Sequence, residues 1–139
     1  MNRILKPAFA AILAAGLAGQ ALAADLTLQI EGMEEATGSF HVAVFDAAGW
    51  DNNDAVTGAI ADVSEGTDLT FTGLAPGEYG VKIYQDVDGN GELNLGMWRI
   101  PTEPYGFSND ASASMGPPKF KSARIDLPEA DTVHTITLQ

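Results

Sequence analysis

From Asp25 onward apolar and polar residues alternate, with Leu26, Leu28 and Ile30 on one side and Thr27, Gln29 and Glu31 on the other. A period of two sends successive side chains to opposite faces of a strand, so this segment predicts a strand with one buried face, ended by Gly32. Ser39–Phe45 places Phe40, Val42 and Val44 on one side and His41, Ala43 and Phe45 on the other. Apolar on nearly both faces, it is expected at the centre of a sheet. Residues 46–54, rich in Asp, Asn and Gly, predict a loop. Residues 55–63 support two readings: Val56, Ile60 and Val63 fit one helical face, whereas Gly58 opposes a regular helix. Residues 68–71 and 78–85 predict two strands joined by a turn at Pro76-Gly77, expected to pair as a hairpin, with Tyr79, Val81 and Ile83 inward and Lys82 outward. Residues 86–119 lack periodicity but hold much Gly, Asn, Ser and Pro. An irregular stretch that long is uncommon in a compact domain and is usually functional or mobile. Residues 123–127 and 133–138 alternate again across a Pro-containing turn, which suits a closing hairpin.

Six or seven short strands separated by turns, with no convincing helix after the N-terminal segment, predict an all-β fold. The expected architecture is an antiparallel immunoglobulin-like (prealbumin-like) sandwich of about seven strands with one long irregular loop, rather than a barrel or an α/β fold.

The N-terminus changes where this sandwich is expected to work. Arg3 and Lys6 precede an apolar run over residues 8–17 that is too short to span a bilayer, and Ala21-Leu22-Ala23 precedes Ala24. A basic start, a short apolar stretch and a small-x-small site make up a secretory signal peptide, with cleavage expected after Ala23. Residues 1–23 are thus read as the signal peptide and 24–139 as one sandwich domain, periplasmic or secreted. The chain carries 7 basic and 19 acidic side chains. Removing residues 1–23 takes Arg3 and Lys6 and no acid, leaving 5 basic against 19 acidic side chains, a net of −14. Such a chain repels phosphate backbones, so nucleic acid is not an expected partner. With no cysteine there is no disulfide, thiolate metal site or thiol nucleophile. The fold must then be held by its core or by a bound ion.

The sharpest chemical pattern is Asp86-Val87-Asp88-Gly89-Asn90-Gly91-Glu92-Leu93-Asn94. With Asp86 as position 1, oxygen-bearing side chains fall at positions 1, 3, 5 and 9 (Asp86, Asp88, Asn90 and Asn94). Gly91 sits at position 6, where the loop must turn, and the Glu92 carbonyl at position 7, as in the first half of a calcium loop. Calcium takes roughly six to eight oxygens, and alternate residues of a curled loop converge on one point. Position 12 is Met97, so the closing carboxylate must come from elsewhere, with Asp46, Asp51 and Asp110 the acids available on other loops. The same Asp-Gly-Asn-Gly run equally suits a plain turn, because these residues tolerate positive φ and bond their own backbone.

Leu74-Ala75-Pro76-Gly77-Glu78-Tyr79 resembles the L-x-P-G-x-Y strand-turn-strand of transthyretin-like and prealbumin-like modules, which implies a tyrosine entering the core beside a tight turn. Three further segments combine specifically: the acidic loop; Ile100-Pro101 through Tyr105-Gly106-Phe107-Ser108-Asn109; and Gly116-Pro117-Pro118-Lys119-Phe120. Over residues 38–125 the chain resembles a bacterial family of small exported domains of unknown function. That family's pattern runs D-x-N/D-x-N-G-x-L, then G-I-P-x-E-x-Y-G-F-S-N-N, then G-P-P-x-F. This chain has Thr102-Glu103-Pro104 before Tyr105, and departs from the pattern with Arg99 before Ile100 and with Asp110 for the last asparagine. The resemblance implies an exported sandwich and no known reaction.

Trp98, Tyr105 and Phe107 form a second candidate site, since exposed aromatic rings stack on sugars; alternatively they fold back and cap one end of the sandwich. Catalysis finds little support. The two histidines, His41 and His134, lie on strands, and there is no Gly-x-Ser-x-Gly elbow, His-Glu-x-x-His helix or phosphate-binding glycine loop. The expected function is therefore a non-enzymatic exported binding or accessory module for an envelope or extracellular ligand, with calcium the ion suited to the acidic loop. The alternative is a carbohydrate or cell-envelope binding domain, followed by a small hydrolase. Mass spectrometry of the protein from a bacterial host should give an N-terminus at Ala24, and a chain still starting at Met1 would remove the basis for export.

Overall fold

The computed structural model describes residues 22–139, so the expected signal peptide lies outside the described residues except for its last two positions. Eight strands form two sheets. The first holds β1 (Ala24–Glu31) between β4 (Asp68–Leu74) and β8 (Thr132–Thr137). In the second, β3 (Thr57–Asp62), β2 (Ser39–Phe45), β5 (Gly77–Asp86) and β6 (Tyr105–Phe107) lie in that order, and β7 (Ile125–Leu127) pairs with the start of β5.

The main core lies between the sheets, where the apolar faces read from the sequence meet. Leu26, Leu28, Ile30, Phe71 and Ile136 come from the first sheet, and Phe40, Val42, Val44, Val81 and Ile83 from the second. The sandwich is therefore as expected; the partners of several strands are not. β4 pairs with β1 and β5 with β2, so residues 68–71 and 78–85 do not form a hairpin: the Pro76-Gly77 turn carries the chain from one sheet to the other. Tyr79 pins this corner, its ring in the core and its hydroxyl donating to the Ala75 carbonyl at 2.6 Å. Nor do the last two strands pair with each other. β7 joins β5, whereas β8 crosses to the other sheet and runs parallel to β1, with Leu26 opposite Thr132 and Glu31 opposite Thr137. Every other pair is antiparallel.

Residues 55–63 resolve mostly into the edge strand β3, followed by a 3-10 turn over Val63–Glu65. Gly58 decides the matter: a Cβ there would lie 2.8 Å from the Val42 carbonyl, so the glycine lets the strand press against β2. Within the predicted loop 46–54, Ala47–Trp50 forms one helical turn, α1, which Asp46 caps by accepting from the Gly49 amide at 2.8 Å.

The outer face of the second sheet is covered too. Trp50, from α1, lies against Gly80, where a Cβ would meet its ring at 2.7 Å, and packs edge-on against Phe45, Phe107 and Phe120. Its indole donates to the Pro118 carbonyl at 2.8 Å, and the Lys82 ammonium sits 4.6 Å from its ring centre. Burial lowers the pKa of Lys82, opposed by the charge of Asp51. A second short helix, α2 (Phe120–Ala123), brings Phe120 and the Ala123 carbonyl into this layer. Ser108 ties the layer together, accepting from the Val81 amide at 2.9 Å and donating to the Ala123 carbonyl. The later part of the long irregular segment, from Tyr105 to Pro118, therefore joins α1 and α2 as the outer coat of β5. Trp50→Ala should lower unfolding free energy by about 3–5 kcal/mol in urea titration, because it opens a cavity beneath that coat; a loss below about 1 kcal/mol would show that the coat is not packed on the sheet.

Candidate functional site

β5 ends at Asp86, and that position determines the character of the acidic loop. Asp86 is only 2% exposed, because the long strand carries it into the body of the protein. Its Oδ2 accepts from the Gly91 amide at 2.8 Å and lies 3.4 Å from His41 Nε2. Its Oδ1 is buried and has no hydrogen-bond partner. An unpaired buried carboxylate oxygen is costly, so this atom is where the site calls for a cation or donor.

One oxygen each from Asp86, Asp88 and Glu103 lies within 4.8 Å of the others. Glu103 is the carboxylate sequence reasoning missed. It sits just before β6, buried, with Oε2 accepting from the Val87 amide at 2.8 Å and Oε1 from the Asn94 amide at 2.9 Å. The signal for it was present in the family pattern, since Glu103 fills the acidic position between Pro101 and Tyr105. The acids expected to complete the loop are used elsewhere: Asp46 caps α1, Asp110 accepts from the Thr137 amide at 2.7 Å, and Asp51 neighbours Lys82.

The rest of the loop is laced to itself. Asp88 Oδ1 accepts from the Asn90 amide at 3.2 Å, Asp88 Oδ2 from the Asn94 side chain at 2.6 Å, and Asn90 Oδ1 from the Glu92 amide at 3.0 Å. Asn90 Nδ2 donates to Asn94 Oδ1 at 2.6 Å. Asp86 and Asp88 therefore come together as the spacing predicts, whereas Asn90 and Asn94 brace the turn and the Glu92 carboxylate stays outside the three-acid group. The Asn94 amide hydrogen bond leads the contacts that hold the Asp88 carboxyl below the ordinary aspartate pKa. His41 stacks on Tyr84 at 4.7 Å, and burial, aided by the charges of Asp86, Glu103 and Glu92, raises the Tyr84 pKa. A cleft of about 510 Å³ opens beside the group, with Glu34, Glu35, Asp88 and Glu103 among its walls and no lysine or arginine.

The two readings of the three rings, a ligand platform or a cap on the sandwich, divide among them. Phe107 is 8% exposed and packs under Trp50, so its faces are not available for stacking. Tyr105 is half-buried and meets Phe107 edge-on at 6.0 Å. These two cap the sheet, while Trp98 is 87% exposed. His134 is engaged as well: its Nε2 accepts from the Asn109 amide at 3.1 Å, and burial lowers its pKa against the pull of Asp110.

A family profile described as "Uncharacterized protein conserved in bacteria (DUF2141)" matches residues 28–135, and the chain belongs to this family. No curated protein matches it. Among solved structures, a pilus-presented adhesin, Spy0125 (Cpa), is 14% identical with a TM-score of 0.37, over 86% of this chain and 27% of that one. The chain thus spans about a quarter of the adhesin's length, and a likeness this low says nothing of its role. Glu103→Ala should cost about 1–3 kcal/mol of stability in denaturant, because it strips acceptors from the Val87 and Asn94 amides; an unchanged midpoint would mean that Glu103 does not organise the loop.

Proposed function

We propose that the protein is an exported, non-enzymatic binding module of the bacterial envelope or exterior whose ligand-bearing end is held by one calcium ion. The observation that carries this reading is the unpartnered, buried oxygen of Asp86 within reach of Asp88 and Glu103. Three carboxylates crowded together repel one another, and a hard divalent cation offsets that repulsion while satisfying the orphan oxygen. Asp86, Asp88 and Glu103 would hold the ion. Asn90 and Asn94, whose amides now tie the loop to itself, stand ready to turn an oxygen toward it, and the Glu92 backbone lies in the same turn. The family pattern supports the assignment, since it places acidic residues at the positions of Asp86 and Glu103.

Export and calcium support each other. Extracellular calcium sites work with dissociation constants on the order of 0.1–1 mM, which suits a loop with three carboxylates and no bidentate residue at position 12. The non-enzymatic reading rests on the histidines: His134 accepts a backbone hydrogen bond, and His41 is stacked and turned to a buried acid. Among the described residues, no helix is long and apolar enough to cross a membrane.

Calcium at ten to a hundred times its dissociation constant should add about 1.4–2.7 kcal/mol to stability, a rise in Tm of several degrees. Calorimetry should show one site, weakened at least tenfold in Asp88→Asn, with magnesium giving a smaller shift. An unchanged Tm at 10 mM calcium would leave the loop a plain acidic turn.

A further inference from the structure

Between the acidic loop and Glu103 the chain makes a compact turn over residues 95–100. Leu95, Met97, Trp98 and Ile100 are 47, 78, 87 and 59% exposed. The other exposed large apolar side chains lie on other parts of the fold, so this is a concentration and not the scatter usual on a surface. The charge pattern changes here as well. In a chain with 19 acids there is none from residue 93 to 102, and Arg99 is the sole basic residue between Lys82 and Lys119. Among the described residues no carboxylate pairs with it.

The turn is built. Leu95 bridges to Pro101, the Gly96 amide donates to the Ile100 carbonyl at 2.7 Å, and the Ile100 amide donates to the Met97 carbonyl at 3.2 Å. At its base the Thr102 amide donates to the Asn94 carbonyl at 2.9 Å. Trp98 and Arg99 both hold φ near +60°, a region that residues with side chains seldom occupy. Two strained residues in succession, one of them the most exposed aromatic of the fold, indicate that the turn is shaped for display and not for packing.

We propose that this turn is a finger that inserts into the interfacial layer of a phospholipid bilayer. A standard protein interface needs about 20–30 residues a side, and this tip offers six. A lipid surface requires no matching groove and takes up a small convex apolar tip. Tryptophan settles at the headgroup level with its N–H in the wet layer, and an arginine beside it reaches lipid phosphate while its stem stays among the chains. The missing acids fit the same target: on a chain this negative, the part that touches phosphate has to be free of carboxylates. Zwitterionic lipid is therefore favoured over anionic lipid. The proposal does not depend on calcium, although Asn94 joins the two sites, bonded to Asp88 on one side and Thr102 on the other.

The test uses the full chain and reads Trp98 itself, because attachment through residues 1–23 alone would leave Trp98 open to aqueous iodide. The Trp98 signal is the difference between wild type and Trp98→Phe, which leaves the buried Trp50 in both. With phosphatidylcholine vesicles, Trp98 emission should shift to the blue, become shielded from aqueous iodide, and be quenched by lipids brominated near the headgroup. Met97→Asp with Ile100→Asp keeps the reporter on an exposed turn and should weaken vesicle binding about tenfold or more. Each measurement is made in calcium and in chelator, so a failed calcium site leaves the lipid result standing. Trp98 that stays open to iodide at millimolar lipid would overturn the proposal. So would quenching indifferent to the two aspartates, or shielding that appears without lipid as protein concentration rises, which would assign the tip to a second copy of the chain.

Discussion

The structure depends on the pairing of β5 with three other strands at once. Its first residues face β7, its middle and end face β2, and residues 82–84 also face β6 on the other side. One face of β5 builds the inter-sheet core through Tyr79, Val81 and Ile83; on the other, Lys82 lies against Trp50, while Tyr84 stacks on His41 and donates to the Gly91 carbonyl. Because the strand runs ten residues without interruption, it delivers Asp86 into the interior and the rest of the acidic loop outside it. The site is thus a product of strand length: an Asp86 one turn further along would be solvated and would need no partner.

Much of this was legible in the sequence, for a reason that also sets the limit. The alternation in β1, β2 and β5 states which face of each strand is buried, and Leu26, Phe40 and Val81 are buried as that alternation requires. A period of two says nothing about which strand lies alongside, so pairings inferred from nearness along the chain failed for β4 with β5 and for β7 with β8. Proximity in sequence is a fair guide to hairpins only when the connecting turn keeps the chain in one sheet; here the corner at Pro76-Gly77 and the segment after Leu127 both change sheets.

The acidic loop shows the same division. The spacing of Asp86 and Asp88 is local and was readable, whereas Glu103 arrives through the β5–β6 pairing, with the Gln85 amide bonded to the Pro104 carbonyl at 2.9 Å. Composition could not distinguish Phe107 from Trp98. They lie in one irregular stretch, but β6 seats Phe107 against Trp50, and the strained turn before it holds Trp98 away from any such partner.

The parallel pairing of β1 with β8 has a consequence in time. These strands lie side by side although partners such as Gln29 and Thr135 are 106 residues apart in the chain. A polypeptide emerging from its N-terminus therefore has β1 long before it has β8, and one side of β1 stays open until almost the whole sequence is present. Closing so large a loop is slow, and until it closes the first sheet is missing a strand. The fold carries its own delay, because the strand that latches the first sheet is among the last to be made.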